Sequence, residues 1–226
     1  MPAEIILALD VDNFAKAKGL VKKLYPAVRI FKIGSQIFTA NGPKVVEYVL
    51  RQGGEIFLDL KYHDIPNTVA SAVKEAVHLK VKMLTLHISG GREMLEAAVN
   101  AVNSESKKLK IKKPLLIGVT VLTSQEAAPG EVLRLARLGV DSGLDGVVCS
   151  VKEAAMLRKE IKKKFVVVTP GIRPLNAALA DQKRVATAQD AIKSGSDYLV
   201  IGRPILEAKD PVRVTKEILS EIKSSA

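Results

Sequence analysis

Glu55-Ile56-Phe57-Leu58-Asp59-Leu60-Lys61 is apolar on both alternating faces until charge enters at its C-terminal end. A strand with one face in water alternates apolar and polar, so this one reads as a strand covered on both sides, as in a parallel sheet under helices. Seven further runs of the same kind lie at 5–10, 29–34, 83–89, 115–123, 146–150, 165–169 and 198–202. Amphipathic stretches separate them. Eight strand–helix units in 226 residues fit one α/β domain, a single-domain (β/α)8 TIM barrel over 1–226. A doubly wound open sheet is the runner-up, because periodicity does not reveal closure.

Helix punctuation supports the alternation. Asp12-Asn13 can cap the first helix, and Ser150 with Glu153 reads as a capping box. Thr187 and Asp190 have the same spacing, and Asp210-Pro211 is a cap followed by proline at the first helical position. Gly53-Gly54, Gly139 and Gly195 stand where helices are expected to stop. Two connections are long for a barrel, one around 124–129 and one over 171–186, and the length of the second suggests a lid.

Composition excludes several classes. The chain is 47% hydrophobic and 26% charged, which argues against a disordered or fibrous protein. One Cys and three His leave no zinc framework, and the count fits a reducing compartment. The longest clean apolar run, 115–122, is broken by Gly118 and Thr120, so no membrane span is expected. The start, Met-Pro-Ala-Glu, has no basic leader segment, and a cytoplasmic protein is the expectation.

The balance of 35 Lys+Arg against 24 Asp+Glu gives a formal charge of +11. The lysine clusters Lys22-Lys23, Lys80/Lys82, 107–113 and 162–164 fall at predicted helix ends, where cations complement the helix dipole. In a barrel that is the face opposite the active-site loops. A nucleic-acid groove would interleave aromatics, yet the chain has no Trp and 107–113 contains no aromatic residue. A solvated basic face, with neither nucleic acid nor membrane as partner, is the reading.

Charge also enters three neighbouring strands. Asp10 ends the first, Lys32 lies near the end of the second, and Asp59 and Lys61 end the third, with Asp64 just beyond. Alternation puts Asp59 and Lys61 on one face and Leu58 and Leu60 on the other, under helices. The charged pair therefore faces the barrel mouth. Unpaired buried charge is costly, and even paired charge contributes little to stability. Function explains five such residues better than folding does. A carboxylate cluster alone would suggest a divalent metal, but here ammonium groups occupy the space of the cation. A Schiff-base lysine would want a depressed pKa, which neighbouring aspartates oppose. A protonated lysine held among carboxylates suits the stabilisation and protonation of a carbanion.

A second positive feature lies on the last two strands. Strand 7 runs into Thr169-Pro170-Gly171-Ile172-Arg173 and strand 8 into Ile201-Gly202-Arg203-Pro204. Barrels commonly hold phosphate at these two loops. Gly202 lets backbone N–H groups approach an anion, Arg203 offers a fork of donors, and the long loop adds Gln182.

These residues resemble the orotidine 5′-phosphate decarboxylase family in its bacterial form. Asp59-Leu60-Lys61-Tyr62-His63-Asp64-Ile65-Pro66-Asn67-Thr68 is similar to the family's Asp-x-Lys-x-x-Asp signature and its continuation. Leu7-Ala8-Leu9-Asp10, Phe31-Lys32-Ile33-Gly34, Val121-Leu122-Thr123-Ser124 and the strand 7 and 8 motifs match in order, over essentially the whole chain. The resemblance implies decarboxylation of orotidine 5′-phosphate to UMP, the last step of de novo UMP synthesis, by a homodimer without cofactor or metal. It implies that Lys61 donates the proton to C6, with Asp59 beside the departing carboxylate and Lys32 in the same catalytic array. Asp10 and Lys32 would hold the ribose hydroxyls, and Thr123, in preference to Ser124, the base. Pro170, Arg173, Gln182, Gly202 and Arg203 would line the phosphate end. Asp64, as a further catalytic residue, would reach the site of the partner subunit together with Ile65 and Thr68.

Two competing readings carry their own discriminators. A metal-dependent keto-sugar-phosphate decarboxylase or aldolase of the related barrel group would place an acid after strand 2, where this chain has Lys32-Ile33-Gly34-Ser35. A basic nucleic-acid-binding module would bind unrelated duplexes with steep salt dependence. His63 and His87 read as ordinary strand-end histidines, Cys149 as a buried filler, and Met83, Met94 and Met156 as core.

Overall fold

The computed structural model describes residues 3–122, 125, 128–174 and 186–225. Its strands are β1 (Glu4–Ala8), β2 (Ile30–Gly34), β3 (Glu55–Tyr62), β4 (Met83–His87), β5 (Leu115–Val119), β6 (Gly146–Val148), β7 (Val166–Pro170) and β8 (Tyr198–Ile201). They pair in chain order, all parallel, into a closed barrel. Closure is visible at Leu7, which pairs with Phe31 of β2 on one side and Ile201 of β8 on the other. The fold is the (β/α)8 barrel, and the open sheet is set aside.

Alternation along each strand sorts the core into two layers. Ile6, Ala8, Ile30, Phe57, Met83, Ile117, Val168 and Val200 fill the barrel interior. Their odd-and-even neighbours, among them Leu7, Phe31, Leu58, Leu84 and Leu116, pack outward under the helices. Burying a Leu, Ile, Val or Phe contributes about 1.5–3 kcal/mol each, so these layers outweigh the few charges at the mouth.

Three expectations are corrected. Strand β1 stops at Ala8, short of Asp10. After Leu9 N–H bonds Lys32 O at 3.0 Å, Val11 N–H turns back to Leu9 O at 3.0 Å and the ladder ends. Strands β5 and β6 likewise end at Val119 and Val148, before 123 and 150. Gly139 does not stop its helix, which runs Pro129–Asp141 and ends before Gly143 at φ +92°. A Cβ on Gly139 would stand 2.9 Å from Ile88 Cδ1, so this glycine serves close helix packing.

The caps stand where expected. Asn13 Oδ1 accepts Lys16 N–H at 2.9 Å. Ser150 with Glu153 and Thr187 with Asp190 close capping boxes, and Asp210 accepts the N–H groups of Val212 and Arg213. The lysines gather at helix C-termini and several meet acids, as in Lys113–Asp145 at 2.8 Å and Lys163–Asp141 at 2.6 Å.

Cys149, just past β6, is fully buried. Burial pushes its thiol pKa up, Glu153 adds to the shift, and Arg158 opposes it. The thiolate is the reactive form. Native protein is therefore expected to show no reaction with a chromogenic disulfide reagent, and one equivalent of thiol after denaturation. Rapid native labelling would contradict this burial.

Candidate active site

The charged residues of β1 to β3 meet at the C-terminal mouth of the barrel. Lys32 Nζ lies 2.9 Å from Asp10 Oδ1 and 3.4 Å from Asp59 Oδ2. Lys61 Nζ lies 2.8 Å from Asp59 Oδ1. The result is one alternating chain of charge, Asp10–Lys32–Asp59–Lys61. Gly34 leaves room for it, because a Cβ there would stand 3.1 Å from Lys32 Nζ and 3.3 Å from Asp10 Oδ1.

Lys61 does not reach this array on a regular pleat. Its φ is +53°, and the β3–β4 register shifts between Leu58 and Tyr62. For a residue with a Cβ, that left-handed conformation costs about 1–2 kcal/mol. Such irregularities re-aim a side chain next to a site. Leu58 and Leu60 still pack on the outer layer, as alternation requires.

Asp59 is almost fully buried, with 9% exposure. Burial pushes its carboxyl pKa up, but Lys32 and Lys61, with hydrogen bonds from Lys61 and Thr85, outweigh that and hold it below the ordinary value. Asp59 is therefore ionised at neutral pH. His87, at the end of β4, stacks tilted against His63 at 5.4 Å between ring centroids. Burial, then His63 and Lys61, lower the His87 pKa against an opposing pull from Asp59. His87 is neutral at pH 7.

A cavity of about 310 Å³ opens above the array. It brings together Asp10, Lys32, Asp59, Lys61, Pro170, Arg173, Gly202 and Arg203. Phe57, Val119, Val121, Leu122, Val148 and Val200 supply apolar walls. Two cationic groups therefore face one apolar chamber from different sides, lysines from β2 and β3 and arginines beyond β7 and β8. The connection after β7 begins and ends in one short bridge, with Ile172 paired to Ala186 and Arg173 N–H donating to Ala186 O at 3.0 Å.

Three predicted residues lie outside that cavity. Asp64, Ile65 and Thr68 are exposed, and Asp64 Oδ1 accepts the N–H of Ile65 at 2.6 Å. Ile65 is 65% exposed, the one large hydrophobic residue so exposed among those described. Thr123, its alternative Ser124, and Gln182 fall outside the described residues, as do most of the expected lid positions. Sequence reasoning missed Thr85 on β4, whose hydroxyl contacts both Asp59 and Lys61. A hydroxyl residue two positions before His87 in an otherwise apolar strand was the available signal. Among the described residues, no three His, Cys, Asp or Glu side chains group as metal ligands. No described helix is long and apolar enough to cross a membrane.

Comparison with known proteins agrees with this geometry. Residues 3–218 match the family described as orotidine 5′-phosphate decarboxylase / HUMPS. The orotidine 5′-phosphate decarboxylase of Hydrogenovibrio crunogenus is 50% identical over 230 residues, covering 97% of this chain and 95% of the relative. That of Neisseria gonorrhoeae is 50% identical over 227 residues, covering 95% and 90%. Among solved structures, the orotidine 5′-phosphate decarboxylase of Lactobacillus acidophilus superposes with a TM-score of 0.86 at 35% identity, covering 97% of this chain and 99% of the other.

Proposed function

The chain belongs to the orotidine 5′-phosphate decarboxylase / HUMPS family, and from that premise we infer that it converts orotidine 5′-phosphate to UMP and CO2 in pyrimidine biosynthesis. The observation that carries the chemistry is the Asp59–Lys61 contact of 2.8 Å at the floor of a cavity whose far side carries Arg173 and Arg203. The substrate has a carboxylate on its base and a phosphate on its ribose. A cavity with lysines on one side and arginines on another complements both anions.

In this reading the phosphate binds at Arg173, Gln182, Gly202 and Arg203, with Pro170 beside them. The ribose hydroxyls bind at Asp10 and Lys32, and Thr123 meets the base. The substrate carboxylate then lies against ionised Asp59. Like charges repel, and departure of neutral CO2 relieves the repulsion. The bond from C6 to the carboxyl carbon breaks and its electron pair remains at C6. The Lys61 ammonium stabilises that pair and donates a proton to it, forming C6–H, and water restores the lysine. No step calls on a metal or cofactor. Gly202 suits the phosphate role because it lines the cavity and a Cβ there would meet only Ala8, at 3.5 Å, so glycine keeps this part of the mouth open.

The protein acts as a cytoplasmic homodimer, in which Asp64, Ile65 and Thr68 of each subunit complete the partner's site. Their exposure outside their own cavity supports this arrangement. The keto-sugar-phosphate alternative lacks its acid after β2, where Lys32 is followed by Ile33, Gly34 and Ser35.

The deciding experiment follows the ultraviolet absorbance of orotidine 5′-phosphate in EDTA-treated buffer. Loss of substrate with equimolar UMP is expected. Turnover of a keto-sugar phosphate that EDTA abolishes, with orotidine 5′-phosphate untouched, would overturn the reading. Arg203→Ala is expected to raise KM by one to two orders of magnitude, since a charge-assisted hydrogen bond contributes about 1.5–3 kcal/mol. It is also expected to lower kcat if phosphate binding assembles the site. Equal losses of kcat/KM on phosphate-free orotidine would show that Arg203 does not read the phosphate.

A further inference from the structure

We propose that Thr85 is a positioning residue of this reaction: its hydroxyl clamps Asp59 and the backbone of Lys61 into the geometry that proton transfer needs. The inference rests on the reading of Lys61 as the acid. Thr85 lies on β4, fully buried, and is absent from the cavity lining. It cannot touch substrate there and acts only through its neighbours.

The directions of its hydrogen bonds are fixed by counting protons. Lys61 N–H lies 2.9 Å from Thr85 Oγ1, and an amide nitrogen can only donate. That contact uses a lone pair of the hydroxyl. Its single proton is then free for Asp59 Oδ1, also 2.9 Å away, which as a carboxylate can only accept. Asp59 Oδ1 thus receives two donors, Thr85 Oγ1 and Lys61 Nζ, while Oδ2 faces Lys32. One hydroxyl ties together both ends of the catalytic pair, the carboxylate and the backbone that carries the ammonium.

The tie matters because that backbone is irregular. Lys61 has φ +53° and stands within a register shift, so the regular β3–β4 ladder does not hold it. The Thr85 side chain supplies the missing cross-strand bond. Without it the Lys61 N–H loses its partner, and Asp59 keeps only one of two donors on Oδ1. The ammonium and carboxylate are then free to drift from the reacting carbon, and such misplacement costs rate far more than binding.

The groups facing Asp59 and Lys61 are Lys32 from β2 and Thr85 and His87 from β4, with Asp10 acting through Lys32 and His63 set against His87. The Thr85 hydrogen bond is one of the interactions that lower the Asp59 pKa. Its loss moves the acid limb of the pH–rate profile upward, because Asp59 then protonates at higher pH.

The test compares Thr85→Val, Thr85→Ser and Thr85→Ala with the parent enzyme on orotidine 5′-phosphate. Valine keeps the shape and loses the hydroxyl, whereas serine keeps the hydroxyl and loses a methyl. Thr85→Val is expected to lower kcat about a hundredfold while KM stays within about threefold, and to shift the acid limb upward. Thr85→Ser is expected to keep kcat within about fivefold of the parent and leave the acid limb in place. A packing role gives the opposite order, with serine worse than valine, and that result overturns the proposal. Should Thr85→Val fail to fold, serine against alanine decides, since both lack the methyl and only serine has the hydroxyl. Equal kcat values for those two overturn it. A parent enzyme inactive on orotidine 5′-phosphate would instead overturn the functional reading, and this role with it.

Discussion

Lys61→Ala should lower kcat at least about a thousandfold while UMP still binds within about threefold of the parent affinity, because a proton donor acts mainly in the transition state. General acid catalysis alone is worth about a hundred- to ten-thousandfold. Stabilising the developing charge adds to that. The arginines proposed to hold the phosphate are untouched by the substitution, since Arg173 lies just beyond β7 and Arg203 opens the short helix after β8. Removing Lys61 also leaves Asp59 with Lys32 at 3.4 Å, so the floor of the cavity keeps one ion pair. Stopped assays with orotidine 5′-phosphate and calorimetry with UMP read the two quantities separately. Retention of a tenth of the parent kcat would remove Lys61 as the acid.

Asp64→Ala should be nearly inactive by itself, down about a hundredfold or more, yet regain activity when mixed with Lys61→Ala. Asp64 stands outside the cavity formed by its own chain, exposed beside the exposed Ile65. In a two-fold dimer whose sites borrow Asp64 from the partner, a mixed dimer has one site with both lesions. Its other site combines an intact Lys61 from one chain with an intact Asp64 from the other. Random mixing makes about half the dimers mixed, each with one good site of two, so roughly a quarter of parent specific activity should return. The two variants are co-refolded, and mixed dimers are verified by differential tags. Mixed dimers without recovered activity would show that Asp64 serves its own subunit.

All eight strands were legible because β-branched, two-sided apolar runs have few alternatives in a chain of this length. Closure was not legible: Leu7 pairs with both Phe31 and Ile201, and no local pattern records the second partner. The floor of the site was legible for an energetic reason. Charge at Lys32, Asp59 and Lys61 contradicts an apolar strand, and contradictions of that size point to function. Arg173 and Arg203 were legible only through their place after β7 and β8 in a barrel.

What stayed hidden has equally specific causes. Lysine is not a residue that signals a left-handed backbone, so the register shift at Lys61 left no mark in the sequence. Thr85 is small and suits a strand on any face, so its double hydrogen bond is visible only once β3 and β4 are paired. Gly139 looked like a helix stop because glycine has two uses, and here it admits Ile88 and Leu144 rather than ending the helix.

In the proposed reaction Lys61, held by Asp59, delivers the proton to C6. By microscopic reversibility the same ammonium, once deprotonated, removes that proton from the product. The direct measurement incubates UMP with the enzyme in D2O and follows the C6–H signal by proton NMR. The expected result is exchange of that hydrogen by the parent enzyme, and none by Lys61→Ala at concentrations where UMP is bound. Undiminished exchange by Lys61→Ala, or a parent enzyme that decarboxylates the substrate yet never exchanges C6–H, would contradict it.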